Sequence, residues 1–204
     1  MSVVLVTGPT AGIGKSLAYK FAERGYDLFL VARRLDRLKE IALDIEKKFN
    51  VNVEVLQSDL KNKNSPKEIY DYSRKTKLDV EILVLNAGYQ HNKTLHEVSL
   101  DDEEDCLRVL GLSVIMQTKL YLKDFIKRGG GKVLVVSSVA GFAPASPRYA
   151  VLYGPVKTFM NRFSEALNLS YNNIGITCTA LCPGYTVTNF HTASGVQDLS
   201  LIHI

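Results

Sequence analysis

Six short runs of β-branched and aliphatic residues, Val3–Val6, Asp27–Val31, Val51–Leu56, Val80–Leu85, Lys132–Val136 and Gly175–Leu181, alternate with stretches of helical period. Turn residues bound each run, as they bound strands. Lys15 to Arg24, Leu35 to Phe49, Ser65 to Lys77, Asp101 to Arg128 and Phe159 to Tyr171 carry the helical pattern. In the second of these, Leu38, Ile41, Ala42, Ile45 and Phe49 fall on one stripe. Pro66 suits a first helical turn, where its missing N–H costs nothing. Asp101 to Arg128 reads as one long helix with an acidic start and a basic end, matching the helix dipole, and Gly129-Gly130-Gly131 stops it. Runs such as Ile82-Leu83-Val84-Leu85 are apolar throughout and therefore need cover on both faces. The expected fold is a doubly wound α/β domain on a parallel sheet.

With 204 residues one core suffices, and no repeat, low-complexity segment or linker divides residues 1–190. From His191 the pattern decays, so 191–204 is expected to be an atypical tail, with Gln197–Ile204 foreign or frameshifted on a truncated chain. Hydrophobic residues at 46% and charged residues at 23% exclude a disordered chain. The formal charge of +4 comes with no block of like charge, so no nucleic-acid partner is expected. Cys106, Cys178 and Cys182 have no paired spacing for a disulfide framework or a metal site, which points to a reducing, cytoplasmic setting. Met1–Val6 lacks a basic leader and reads as a strand rather than a signal peptide. The longest apolar stretch, Val133 to Ala145, holds serines, a glycine and a proline and falls short of the ~18 residues of a membrane span.

The first run leads straight into Thr7-Gly8-Pro9-Thr10-Ala11-Gly12-Ile13-Gly14, after which a helix begins. Glycines at such a junction permit a tight turn and let a pyrophosphate reach the backbone N–H groups and the positive end of the helix dipole. Gly8, Thr10, Ala11, Gly12, Ile13 and Gly14 are the candidate phosphate-binding positions. A glycine cluster also serves plain turns; the strand-to-helix context distinguishes this one. A Walker A loop competes for the stretch, since Gly14-Lys15-Ser16 satisfies its end, but its first glycine would fall on Pro9. Ile82–Leu85 and Val133–Val136 also run into Asn86 and Ser137, where a nucleotide hydrolase needs a carboxylate. Dinucleotide binding is the better reading. After Leu30-Val31-Ala32, where an acidic residue would hold the ribose 2′-OH of NAD, stand Arg33 and Arg34, which suit a 2′-phosphate. NADP(H) is the preferred cofactor and NAD(H) the alternative.

Hydride transfer to a carbonyl needs a proton donor beside the reacting oxygen. Tyr153-Gly154-Pro155-Val156-Lys157 places a phenol and an ammonium on one face of a helix start, because Pro155 is tolerated only in the first turn. Lowering a phenol from about 10 to near 7 takes about 4 kcal/mol. One positive charge at ~4 Å and an effective dielectric near 20 supplies about that amount, so Lys157 is expected to tune Tyr153. The same spacing recurs in Tyr89-Gln90-His91-Asn92-Lys93, a polar loop segment; the apolar-periodic helix after Lys157 selects the second match. Val135-Val136-Ser137-Ser138 puts two hydroxyls at a strand end, one able to donate to a substrate oxygen or else to cap the turn.

These residues together resemble the short-chain dehydrogenase/reductase family, from Val3 to about Phe190. Thr7-Gly8-x-x-x-Gly12-Ile13-Gly14 is similar to the family's cofactor loop, Asn86-Ala87-Gly88 to its strand-4 motif, and Ser138, Tyr153 and Lys157 to its catalytic residues. Asp59 with Leu60 matches the adenine-contacting position, and Pro183-Gly184 through Thr188 the segment beside the nicotinamide carboxamide. The resemblance implies a Rossmann fold and an NADP-dependent oxidoreductase acting on a small-molecule carbonyl or secondary alcohol. Tyr153 would be the general acid/base, Ser138 would orient the substrate oxygen, and Lys157 would bind the nicotinamide ribose. It also implies a homodimer or homotetramer built on the helices from Asp101 and Val151, and it implies that the last strand and substrate lobe are missing. Three departures stand out: Leu110 in place of a long-helix asparagine that supports a proton relay, a longer connection from Ser138 to Tyr153, and Val156 before the lysine. They motivate the alternative of a catalytically weak NADP(H)-binding sensor or partner protein.

Overall fold

Alternation along single strands shows how the sheet is covered. In β1 (Val3–Thr7), Val3 and Leu5 enter one core while Val4 and Val6 enter another. Successive strand side chains point to opposite faces, so both faces must be roofed. The computed structural model of the protein describes residues 2–91, 93–144 and 151–186; Thr188, the 191–204 tail and part of the Ser138–Tyr153 connection lie outside these.

The remaining strands are β2 (Asp27–Ala32), β3 (Val53–Gln57), β4 (Val80–Leu85), β5 (Gly131–Val136) and β6 (Ile176–Leu181). All pair in parallel, in the order β3-β2-β1-β4-β5-β6. α1 (Gly12–Glu23) and α2 (Leu35–Phe49) cover one face, packing Ala18, Ala22, Leu38, Ile41 and Ile45 on Leu28, Leu30, Ile82 and Val84. The other face lies under α3 (Ser65–Lys75), α5 (Ser113–Arg128) and α6 (Tyr153–Tyr171), through Ile69, Tyr121, Phe125, Met160 and Leu167. This is the doubly wound Rossmann arrangement the strand pattern implies.

The long helix differs from its expectation. The long helix starts at α4 (Leu100–Leu107) and reaches α5 through a π-helical turn, Arg108–Leu112, where the Ser113 N–H bonds to the Arg108 carbonyl. Ser113 Oγ donates to the Val109 carbonyl at 2.8 Å inside the widened turn, and Gln117 Nε2 donates to the Ser113 carbonyl just after it.

Strand order reverses between β1 and β4. The crevice outside the carboxyl ends of the strands at such a switch point is where open α/β sheets bind ligands. Among the described residues no helix is long and apolar enough to cross a membrane.

Candidate active site

The loop after β1 is pinned from below. Thr7 Oγ1 accepts the N–H groups of Asn86 and Ala87, and Asn86 Nδ2 donates to the carbonyls of Thr7 and Gly8 at 3.0 Å each. These bonds tie the glycine loop to the end of β4. Gly8 and Gly12 take positive φ, +68° and +55°, which lets the chain turn into α1. A Cβ on Gly14 would lie 2.3 Å from Asn86 Nδ2 and 2.4 Å from the Gly8 carbonyl oxygen, so the helix can approach the loop only without a side chain there. Ala11, the N-cap of α1, offers no side-chain acceptor, and the first turn holds no acidic residue. The N–H groups of that turn and the helix dipole therefore face the cleft uncompensated, which suits an anion.

That cleft has a volume of about 1510 Å³ and runs along the carboxyl edge of the sheet. Gly8, Thr10, Ala11, Gly12 and Ile13 line it, as do Arg33, Arg34, Asp59, Leu60, Asn86, Ala87, Gly88, Ser138, Tyr153, Lys157, Pro183 and Gly184. Of the residues singled out from sequence, Gly14 lies beneath the loop instead of on the surface of the cleft. Lys15 is exposed, with its Nζ 5.6 Å from the centre of the Tyr19 ring and outside the cleft, where a Walker lysine could not serve. The dinucleotide fits the donor set; a Walker-bound triphosphate does not.

At the β2–β3 end Arg33 and Arg34 are exposed, and among the described residues neither is in an ion pair. Gln57 Nε2 fixes the Arg33 carbonyl at 2.8 Å. At the β5–β6 end, α6 begins at Tyr153, so Tyr153 and Lys157 stand one turn apart on its first face. The Tyr153 hydroxyl is hydrogen-bonded with the Ser138 side chain. Lys157 is 6% exposed, and its Nζ donates to the Val136 carbonyl at 2.8 Å.

Burial dominates the electrostatics of this pair. Burial pushes the Tyr153 hydroxyl above its ordinary range, with the Ser138 bond opposing. Burial also brings Lys157 down to about 8. The sequence arithmetic counted Lys157 as a solvated cation about 4 Å away. In the fold its Nζ is 5.4 Å from the tyrosine ring centre and shares the desolvation. Burial thus favours the neutral phenol of Tyr153.

Two hydroxyls bind the Ser138 loop to α6. Ser137 Oγ donates to the Lys157 carbonyl at 3.1 Å, and Thr158 Oγ1 donates to the Gly141 carbonyl at 2.9 Å. A Cβ on Gly141 would come within 2.9 Å of the Lys157 carbonyl carbon, so the two elements touch backbone to backbone. Leu110 is buried with Cys106 and Val156, and both Tyr89 and Tyr153 pack on that cluster.

The profile of short chain dehydrogenases matches residues 2–198. The chain belongs to the short chain dehydrogenase family. A rat very-long-chain 3-oxoacyl-CoA reductase is 31% identical to it over 190 residues, which make up 90% of this chain. It spans 59% of that reductase, and likewise 59% of a rat 17-beta-hydroxysteroid dehydrogenase type 3 that is 33% identical. A short-chain dehydrogenase from Sphingobium yanoikuyae, solved in complex with NADPH, superposes with a TM-score of 0.93 at 29% identity, covering 100% of this chain and 78% of that one.

Several wall residues of the cleft had no sequence signal of their place there. Lys61 pairs with Asp105 at 3.1 Å and lies 5.4 Å over the ring of Tyr89. Tyr89, set aside with the second Tyr-x-x-x-Lys match, lines the cleft with a buried hydroxyl that has no partner among the described residues. Ser58 and Gln90 line it as well. Lys61 and Tyr89 meet neighbours distant in sequence, Asp105 for the lysine and the Cys106–Leu110–Val156 cluster for the tyrosine.

Proposed function

We propose that the protein transfers hydride between NADP(H) and a carbonyl or secondary alcohol. The observation that carries this reading is the convergence, in one cleft, of an uncompensated helix N-terminus with the Tyr153–Ser138–Lys157 cluster. The N–H groups of the first turn of α1 would hold the pyrophosphate, and Arg33 and Arg34 the 2′-phosphate. Asp59 and Leu60 would meet the adenine, Asn86-Ala87-Gly88 would floor the site, and Lys157 would meet the nicotinamide ribose. Pro183, Gly184 and Thr188 would border the carboxamide. The bound nicotinamide supplies or accepts the hydride.

In the reducing direction Tyr153 Oη gives its proton to the substrate oxygen as that oxygen gains charge, and the phenolate left behind takes a proton back from solvent. Ser138 Oγ holds the substrate oxygen, and its bond to Tyr153 also stabilises the phenolate. Lys157, largely charged at neutral pH with its fall to about 8, keeps a positive charge beside the phenolate. Exposed apolar side chains on the long helices, Leu112, Met116 and Phe159, favour pairing of two chains, which light scattering reads.

NADPH and NADH titrations by fluorescence, with a carbonyl screen, test the function. Arg33→Ala should weaken NADPH about 30-fold, the roughly 2 kcal/mol of a charged hydrogen bond, with NADH unchanged. Equal loss for both cofactors would contradict the 2′-phosphate assignment.

A further inference from the structure

We propose that Gln90 is a specificity-determining residue, its side-chain amide bonding a hydroxyl group that the substrate carries close to the reacting carbonyl. Hydroxy ketones are then favoured over their deoxy counterparts. This rests on the hydride-transfer reading of the cleft and adds the second recognition group that reading leaves open.

The polar groups of this wall are short of partners. Gln90 lines the cleft and is 7% exposed, and its Oε1 is enclosed with no hydrogen-bond partner among the described residues. Tyr89 beside it shows the same shortage at its hydroxyl, which burial pushes up and so keeps a neutral donor. An enclosed polar atom without a partner costs free energy, and native folds retain few of them. Gln117 Oε1 is also enclosed, but its Nε2 is anchored on the Ser113 carbonyl away from the cleft. Packing alone does not call for an amide at position 90, because methionine fills a similar space without a polar end. Two orphaned groups on adjacent residues of one cleft wall fit partners that arrive with a ligand.

Sheet register places that wall at the reacting end. β4 and β5 run parallel with Leu85 level with Val135. Gly88 and Ser138, each three residues further on, thus leave the sheet from neighbouring strands, whose spacing is about 4.8 Å. Tyr89 and Tyr153 pack on the same cluster of Cys106, Leu110 and Val156. Arg33, Arg34 and Asp59 follow β2 and β3, on the other side of β1. Gln90 therefore stands with Ser138 and Tyr153, away from the arginines.

The amide offers an acceptor at Oε1 and donors at Nε2, and rotation about its last torsion exchanges them. A hydroxyl answers either end, donating to Oε1 or accepting from Nε2. A substrate without that hydroxyl leaves the amide dry and unpaired, and a site built to bond a hydroxyl discriminates strongly against such an analogue.

The test measures kcat/KM with NADPH for 2-hydroxyacetophenone against acetophenone and for 3-hydroxy-1-phenyl-1-propanone against propiophenone, on the full chain and on Gln90→Met. Comparing each hydroxy-to-deoxy ratio between the two proteins cancels the inherent reactivity of the ketones. In at least one pair the ratio should fall about tenfold or more in Gln90→Met, with NADPH affinity by fluorescence within about twofold. Without ligand the variant should unfold at the wild-type temperature or above, because an unpaired acceptor has been removed. A smaller fall in both pairs overturns the inference and leaves hydride transfer standing. So does a Gln90→Met protein that loses NADPH affinity, which makes the glutamine a cofactor contact, or one that unfolds at a lower temperature, which makes it a packing residue. A wild-type protein that binds no NADPH, or reduces none of the four ketones, overturns both.

Discussion

Lys157→Met should make the protein more stable while removing its activity. The buried ammonium falls from 10.5 to about 8, a gap worth roughly 3 kcal/mol of folding free energy at 1.36 kcal/mol per pH unit. The substitution also loses the hydrogen bond to the Val136 carbonyl, about 1 kcal/mol. A net gain of about 2 kcal/mol at pH 7 follows for a methionine of similar length. The sign of the pH dependence separates this from ordinary repacking. Because the folded value is depressed, the unfolded chain binds more protons between about 8 and 10.5, and wild-type stability rises across that window. Below about 8 the full penalty is present; by pH 9.5 roughly 2 kcal/mol of it has been recovered. Urea unfolding without cofactor, at pH 7 and pH 9.5, should show Lys157→Met more stable at the lower pH and the two proteins converging at the higher. A variant less stable than wild type at pH 7, or a difference that ignores pH, would refute the reasoning.

Gly14→Ala forces a methyl against Asn86 Nδ2 and the Gly8 carbonyl, so it should cost about 1–3 kcal/mol in thermal unfolding and weaken NADPH together with NADH. Thr158→Val keeps shape but removes the donor to the Gly141 carbonyl. It should lower kcat several-fold with NADPH affinity unchanged, and a normal kcat would show that the Ser138 loop does not depend on that bond.

The architecture was legible wherever a local pattern and its packing agree. α2 matches its apolar stripe from Leu35 to Phe49 because Leu38, Ile41 and Ile45 meet the sheet at helical spacing. β3 starts at Val53 instead of Val51, since Asp27 Oδ1 takes both the backbone and side-chain N–H groups of Asn52 and holds the chain at the strand entrance. The π-turn at Arg108–Leu112 left no trace in the periodicity, because it adds one residue to one turn while Cys106 before it and Val114 after it both stay buried.

The site divides in the same way. Glycines, the Asn86-Ala87-Gly88 turn and the Tyr153–Lys157 pair sit in short contiguous motifs, and the fold gathers them at one sheet edge. Tyr89, Lys61 and Thr158 acquire their places from partners far along the chain, such as Asp105 and Gly141, which no local pattern reveals. The burial of Tyr153 and Lys157 was not legible for a related reason: charge can be read from sequence, but desolvation depends on the whole fold.

Single-turnover oxidation of bound NADPH, followed at 340 nm with a ketone, tests the central claim when wild type and Tyr153→Phe are compared at matched cofactor occupancy. Loss of the phenolic proton donor should slow the step at least 100-fold while NADPH affinity stays within about twofold. A Tyr153→Phe protein that oxidises NADPH at the wild-type rate would contradict the account.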